Sequence, residues 1–546
     1  MRTLAAVVGC SIVLALSGMS GCSSSNGSNF GVDGGDQGNS GNGSSGSSTP
    51  RFTSSGSGSG GGTGSSGTSS GGTGAPCPTG LACNVACPSG TTTTITGTVL
   101  DPAGKNPLYG ITVYVPHGAL QSLPRGIPTG TDACSCAALY KSGAVVSTTT
   151  DVRGQFTLKD APVGTNVPLV LQAGKWRHVV TIPTVNQCAD NPQGMLPLNG
   201  TVASGSDDSL PDIAVSTGRS DSLECLMKRI GLEDTEYVAG TGTGGHVHVY
   251  SGGNPAGGFI LTNGTNVGFP EANPMPAAPE SDTTLWNSAS NLEAFDMLLL
   301  SCEGGETYKA QPGVLEEYLN AGGRVFASHF HYAWFSNHLV SGQGYSAPSD
   351  WGSNLATWQT NPGLDLGPDD GVIVQTLNGS TAPFPKGQFM AEWLANVSAL
   401  GTDGVPTGDL SLWYPRYNAV VGQANAPSQP WITTVPPGDA SVSGEHTMYF
   451  SFDTPVGATP SPDGGALAYC GRAVFSDLHV SDDPSNMDTT NSTDDTGTPN
   501  GQPPPAGCAA TDLSPQEKVL EFMLFDLSSC VVPDDVNPPM SIPMSF

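Results

Sequence analysis

From Ser23 to Ala75 the chain is almost wholly glycine, serine, threonine and asparagine. Such a stretch has no apolar periodicity and too little hydrophobic surface to offset the entropy of ordering it. Folding is therefore confined to residues C-terminal to it, and the stretch reads as a disordered linker with a random-coil reach of about 40 Å. It also explains much of the glycine excess, 74 of 546 residues. The charge balance belongs to the remainder. There are 18 Lys and Arg against 47 Asp and Glu, a formal net charge of −29, and charged residues make up 12% of the chain. An ordinary soluble domain has about 25%. So few scattered cations cannot build the basic stripe that phosphate neutralisation needs, which excludes nucleic acid as a partner. No apolar run of bilayer-spanning length occurs in the body, which excludes a multi-span membrane protein.

Ahead of the linker, Arg2 followed by a mostly apolar Leu4 to Leu16 has the form of a secretory signal. Met19-Ser20-Gly21-Cys22 places small residues immediately before a cysteine and resembles the bacterial lipoprotein box. The resemblance implies cleavage before Cys22, acylation of Cys22 and, with Ser23 rather than Asp next, an outer-membrane destination. Two or more acyl chains anchor stably where one does not. Residues 1–21 are thus expected to be a signal peptide, and 22–76 the linker of a lipid-anchored envelope protein. An ordinary signal peptide that leaves Cys22 as a thiol is the plainer alternative.

An exported chain meets an oxidising compartment, so its cysteines are expected to pair. Of 13, setting aside Cys10 and Cys22 leaves 11. Cys77, Cys83, Cys87, Cys134, Cys136 and Cys188 form an early group able to close as three bridges within one domain. Cys225, Cys302, Cys470, Cys508 and Cys530 form a late, odd group, which predicts one thiol outside any bridge. Zinc at Cys83-x3-Cys87 with Cys134-x-Cys136 is the rival, but the spacing does not match paired C-x2-C knuckles.

Residues 77–205 read as a small β-sandwich. Thr92 to Leu100 and Ile111 to Val115 have strand composition. Val145 to Thr150 and Gln155 to Leu158 flank Asp151-Val152-Arg153-Gly154 as an expected hairpin, and Val167 to Gln172 and Val179 to Ile182 complete the set. Ile95-Thr96-Gly97-Thr98-Val99, Pro107-Leu108-Tyr109-Gly110-Ile111, Asp151 to Phe156 and Pro162-Val163-Gly164 together resemble the carboxypeptidase regulatory-like domain. That resemblance implies a transthyretin-like accessory module without catalytic residues. Trp176-Arg177-His178 departs from it, and packing at a strand edge competes there with a ligand contact.

Residues 206–530 alternate strand and helix, the signature of a doubly wound α/β domain with a parallel sheet, and 531–546 read as a tail. Asp212 to Ser216 is a short apolar strand. Ser220 is placed to cap a helix over Asp221 to Ile230 that stops at Gly231. Phe295 to Leu300 is a continuous apolar strand of the buried parallel kind. A helix over Pro312 to Asn320 precedes a strand over Arg324 to Ser328, and Gly471 to Ser476 is a late strand. Ser514-Pro515-Gln516-Glu517 is a capping box opening the last helix. Phe295 to Leu300, Leu319 to Phe326 and Gly471 to Phe475 with His479 resemble the class I glutamine amidotransferase-like fold, in its trehalose-utilisation-type branch. An amidotransferase carries G-x-C-x-G after the strand that begins here at Arg324. This chain has Ala327-Ser328-His329-Phe330-His331 instead, so the resemblance implies loss of glutamine hydrolysis.

Ligands of open α/β sheets sit outside the carboxyl ends of the strands. Three predicted strand ends carry Cys302-Glu303, His329-x-His331 and Asp477-x-His479, and Gly244-Gly245-His246-Val247-His248 is a fourth element. A metal reading takes His246, His248, His329, His331 and His479 as ligands of a divalent cation, since His-x-His on a strand puts both rings on one face. A nucleophile reading takes Cys302 with His329, His331 or His479 as base and Glu303 as orienter. The third reading has these histidines packing, capping or binding without chemistry. Asp482, Asp483, Asp488, Asp494 and Asp495 lack the spacing of a calcium loop and read as solvated. Trp393, Trp413, Tyr417 and Trp431 are either core or an exposed binding face. The expectation is a non-catalytic binding protein at the cell envelope, with a carbohydrate or protein ligand. The alternative is a hydrolase or metal-dependent enzyme using the His, Cys and Asp set. Convergence of His329, His331, Asp477 and His479 separates the two.

Overall fold

A computed structural model describes residues 77–536 except 219–220, 253–258, 261–265, 268–281, 304–310, 312, 338–346, 360–366, 437–441, 459–468, 481–504, 506–507 and 509–510. The segments expected to be a signal and a linker, with Cys22, and the Asp482 to Asp495 run lie outside the described residues. No helix among the described residues is long and apolar enough to cross a membrane.

The first region is built from β1 (Leu81–Ala82), β2 (Thr94–Leu100), β3 (Thr112–Pro116), β4 (Ala144–Thr149), β5 (Gln155–Lys159), β6 (Val163–Ala173), β7 (Trp176–Val185) and β8 (Asp190–Pro197). One sheet runs β1-β6-β3-β4 with β7 on β6, and a second runs β5-β2-β8. The expected hairpin over Val145 to Leu158 is corrected here. β4 pairs with β3, whereas β5 pairs with β2. The Asp151 carboxylate accepts from the amides of Arg153 and Gln155, which lets the turn carry the chain from one sheet to the other. β8 has no signature in the sequence, because Asn191-Pro192-Gln193-Gly194 breaks any strand pattern.

The second region contains β9 (Ile213–Ser216), α1 (Leu223–Arg229), β10 (Tyr237–Ala239), β11 (Val247–Tyr250), β12 (Met297–Leu300), α2 (Gly313–Asn320), β13 (Arg324–Ser328), β14 (Asp369–Ile373), α3 (Pro385–Asn396), β15 (Leu410–Leu412), β16 (Ser428–Thr434), β17 (His446–Thr454), β18 (Gly471–Ser476) and α4 (Pro515–Ser528). Its ten-stranded sheet runs β10-β11-β9-β12-β13-β18-β17-β16-β14-β15. The first six strands are mutually parallel, and antiparallel pairing takes over from β18 onward. β9, β12 and β18 are buried at every position; β12 is an unbroken apolar run, whereas β18 buries Arg472, paired with Asp453, Asp526 and Asp534. Ser222, not Ser220, is the N-cap of α1, and its side chain makes no capping bond. Ser514 and Glu517 form the capping box of α4.

The two regions share one hydrophobic core in which Ile95, Val113 and Trp176 join Val215, Leu226, Trp431 and Phe522. Trp176 is fully buried, lies 5.3 Å from the Phe525 ring and donates to Ser528 Oγ at 3.0 Å. His178 is half-buried and bonds Asp208 at 3.1 Å. Gly174 (φ 56°) makes that seam close, since a Cβ there would sit 1.8 Å from the Ser528 carbonyl oxygen.

Among the described residues, five disulfides brace the fold. Cys77–Cys83 and Cys87–Cys188 stay within the first region, as expected of the early group. Cys134 and Cys136 do not pair there. They reach across to Cys470 and Cys530, which also removes the zinc reading of that group. Cys225 pairs with Cys508. Cys302 takes part in none of the five.

Candidate functional site

At β9 the chain order of the sheet reverses: β10 and β11 lie to one side and β12 to the other. A crevice outside the carboxyl ends of the strands is expected at such a reversal. Cys302 comes just after β12 there, and Gly218, just after β9, packs so tightly that a Cβ would meet the Cys302 carbonyl oxygen at 2.3 Å. Next along the sheet, β13 ends at Ser328 and the chain turns into a 3-10 segment over His329–Trp334. His329 makes that turn at φ 37°, in the left-handed region that non-glycine residues adopt at a cost. The chain is therefore no longer a strand at the His-x-His pair, and the expectation that both rings share one face is corrected.

The rings go separate ways. His329 Nδ1 lies 3.4 Å from Cys302 Sγ and 3.1 Å from His479 Nε2. His331 Nε2 instead contacts the Ser301 carbonyl at 2.9 Å, with Glu303 Oε1 at 3.6 Å. Asp477 also stays outside the cluster. Its carboxylate accepts from the Ala419 amide at 2.7 Å and its carbonyl accepts from the Arg416 amide at 2.9 Å. So of the four residues whose convergence separates the two readings, only His329 and His479 meet, and the enzyme reading built on all four fails; a different group forms, in which Cys302 joins the two histidines. His246 and His248 are removed from the site altogether. β11 runs parallel to β9, and these residues align with its start rather than its end. His246 pairs with Glu236 at 2.5 Å, and His248 Nδ1 lies 2.7 Å from the Gly240 carbonyl.

Cys302, His329 and His479 are all buried. Burial pushes both imidazoles well below their usual range, and the positive Arg416 guanidinium nearby acts in the same direction. Both rings are therefore neutral at physiological pH, and their tautomers are set by their partners. Arg416 Nη2 lies 2.9 Å from His479 Nδ1. Arginine only donates, so His479 Nδ1 accepts and its proton resides on Nε2. That Nε2–H donates to His329 Nδ1, whose lone pair also faces the Cys302 thiol.

Three ligand atoms within 4.8 Å of one another have the size of a metal site. The tautomer argues against one. A metal at His479 Nε2 would need the lone pair there, and Nδ1–H would then confront a guanidinium that can only donate. The cluster fits a thiol and two imidazoles in series better than it fits a cation.

Sequence reasoning missed Arg416 and Asp221. Arg416 comes from an irregular segment in which Tyr414 (φ 52°) and Tyr417 (φ 59°) are both left-handed, and its guanidinium lies 5.9 Å from the Tyr414 ring centroid. Asp221 Oδ2 accepts from Ser328 Oγ at 2.7 Å and from the Val480 amide at 3.2 Å, and so joins the two turns that carry His329 and His479. Neither residue belongs to a motif. Trp393, Tyr417 and Trp431 are core and Trp413 is half-buried, so the four form no exposed face.

No family model matches the chain, and no curated protein does. Among solved structures, a C-terminal interface mutant of a type II cohesin–X-dockerin complex from Acetivibrio cellulolyticus is 17% identical over 27% of this chain and 74% of that one, with a TM-score of 0.14. A 9R-lipoxygenase from Cyanothece PCC8801 is 13% identical over 27% of this chain and 23% of its own, with a TM-score of 0.15. Likenesses at that level carry no argument about fold or chemistry.

Proposed function

We propose that the chain is an exported, lipid-anchored envelope protein in which a small β-sandwich of the carboxypeptidase regulatory-like kind precedes a doubly wound α/β region of the amidotransferase-like kind. In this reading the α/β region is a thiol-dependent hydrolase rather than a binding module. The observation that carries it is the 3.4 Å approach of Cys302 Sγ to His329 Nδ1, at the point where the sheet reverses. His329 occupies the turn at which the resemblance puts the lost nucleophile, and its backbone there is left-handed, at φ 37°. The thiol comes instead from the end of the neighbouring strand.

The tautomers dictate the chemistry. The Cys302 thiol gives its proton to His329 Nδ1 once the His479 Nε2–H has turned off that single lone pair, and the thiolate adds to an electrophilic carbonyl carbon of an ester or amide. The leaving group departs with the proton that His329 holds, and water then cleaves the thioester with His329 again as base. His479 and Arg416 position His329, and Asp221 positions both turns. Burial keeps His329 neutral in the neutral range and able to accept, while lowering its strength as a base.

The test is alkylation of the native full chain by iodoacetamide, read at Cys302 by mass spectrometry. Labelling of folded protein at pH 7 is expected, slowed at least tenfold by His329→Gln and less by Arg416→Gln, with circular dichroism unchanged. Labelling of Cys302 only after denaturation would sink the enzyme reading and leave the non-catalytic one. Stoichiometric metal in the purified protein, lost in Cys302→Ser, would restore the metal version.

A further inference from the structure

The turn that follows β2, residues 101–107, is held by three helices of the second region. Asp101 closes the turn on itself. Its amide donates to the Asn106 carbonyl at 2.8 Å, its carbonyl accepts from the Gly104 amide at 2.9 Å, and its Oδ1 accepts from the Lys105 amide at 2.6 Å. At the end of α1 the Ile230 carbonyl accepts from the Ala103 amide at 2.9 Å, and Gly231 packs so closely that a Cβ would sit 2.2 Å from the Ala103 nitrogen. From α3, Trp393 Nε1 donates to the Pro107 carbonyl at 2.6 Å. From α4, Glu521 Oε2 accepts from Asn106 Nδ2 at 2.7 Å.

Inside this grip two carboxyls meet. Asp101 is 1% exposed and Glu521 0%. One oxygen of each is taken by the Lys105 amide or by Asn106. The other two, Asp101 Oδ2 and Glu521 Oε1, accept from no donor among the described residues, and the two side chains bond each other. Ionised carboxylates are acceptors only, so two of them cannot form that bond. A single proton between them supplies the donor and satisfies both oxygens.

The charges around the pair do not replace that proton. Lys105 and Lys518 are the cations that act on it, but Lys105 pairs with Asp512 and Lys518 Nζ donates to the Val397 carbonyl at 2.9 Å. On α1, Arg229 pairs with Glu517 and Lys228 with Asp234. On α3, Lys386 holds Asp526, and Glu392 is exposed. Burial pushes both carboxyls up, and the adjoining Asp101 drives Glu521 well above its usual range. Carboxyls whose folded pKa values exceed the unfolded ones, about 4, stabilise fully below that pH and lose the contribution as pH rises and the proton leaves.

We propose that the proton shared by Asp101 and Glu521 is a pH-sensitive latch, which fastens turn 101–107 to α1, α3 and α4 in acid and frees it in base. Once the proton is gone, two buried carboxylates repel across the contact. The Cys134–Cys470 and Cys136–Cys530 bridges keep the two regions joined, so the opening is local. The latch is independent of Cys302 and holds whether or not the thiol is catalytic.

The experiment is hydrogen–deuterium exchange of the full, oxidised chain at pH 5, 7 and 9, with intrinsic exchange rates divided out. Peptides covering 101–108 report the turn, and peptides covering β6 serve as the control. Protection of the turn is expected to fall about tenfold or more between pH 5 and 9 while β6 keeps its own. Glu521→Gln retains an oxygen for Asn106 and offers an N–H to Asp101 in place of the proton, so its turn should stay protected at pH 9. Asp101→Asn should do the same from the other side, and circular dichroism confirms that each variant is folded. Equal protection of the wild-type turn at pH 5 and 9 overturns the proposal, as does a loss in either folded variant as large as in the wild type.

Discussion

Asp477 lies two residues before His479, and its carboxyl is wholly buried against the Ala419 amide. Burial raises it to about 8, with the Ala419 and Asn418 amides and Arg416 opposing the rise. A carboxyl whose folded pKa lies above its unfolded value contributes stability that is complete below the unfolded value, near 3.8, and fades as pH climbs toward 8. Thermal melts between pH 4.5 and 8 should therefore show a falling midpoint with rising pH, and Asp477→Asn should flatten that slope. An equal slope in the variant would mean that Asp477 is already ionised in the fold. In sequence Asp477 reads as a candidate catalytic group because it sits beside His479. Its role is to hold the segment bearing Arg416, and nothing in the local sequence distinguishes the two, since the difference lies in contacts with residues some 60 positions away.

Helix α4 shows what one element contributes. Ser514 Oγ accepts from the Glu517 amide while the Glu517 carboxylate accepts from the Ser514 amide, and the same carboxylate forms a buried ion pair with Arg229 of α1. Ser514→Ala should cost about 1 kcal/mol. Glu517→Ala strands a buried guanidinium as well and should cost about 3–5 kcal/mol. Denaturant unfolding of the two variants checks both values, and equal costs would mean that the ion pair contributes nothing. This box was legible in sequence because its partners are three residues apart. Most of the parallel strands were legible too, since burial on both faces favours apolar runs such as Met297–Leu300, although Gly471–Ser476 buries the paired Arg472 within the run. The antiparallel half of the sheet was not. Asp369–Ile373 begins with two aspartates, and Ser428–Thr434 contains a proline, so neither reads as sheet interior. Arg416 was invisible for a related reason: the segment that presents it is irregular, and its partner His479 is remote in sequence.

Across the whole molecule, pairing between the two regions is the feature that spacing could not reveal. Cys134 and Cys136 read as part of an early group, yet each closes a loop of more than 300 residues, to Cys470 and Cys530. Loop-closure entropy grows with the logarithm of length, and with Cys136–Cys530 in place the covalent loop that Cys134–Cys470 closes spans about 60 residues, so removing Cys134–Cys470 should cost about 2 kcal/mol more than removing Cys77–Cys83, whose separation is 6. Unfolding midpoints of Cys134→Ser and Cys77→Ser compare them, and non-reducing peptide maps verify the pairs. The same two bridges change how the molecule carries tension. A pull entering at Cys77 and leaving at Cys530 can pass through Cys77–Cys83, along the backbone to Cys136, and straight across to Cys530. Only about 50 residues of backbone lie on that route, an extension of about 190 Å, against about 1,600 Å for the unbridged chain. Stretched in an optical trap, the oxidised protein would yield a small fraction of its contour length, and the Cys302 cluster, in the shielded loop, would never feel the load.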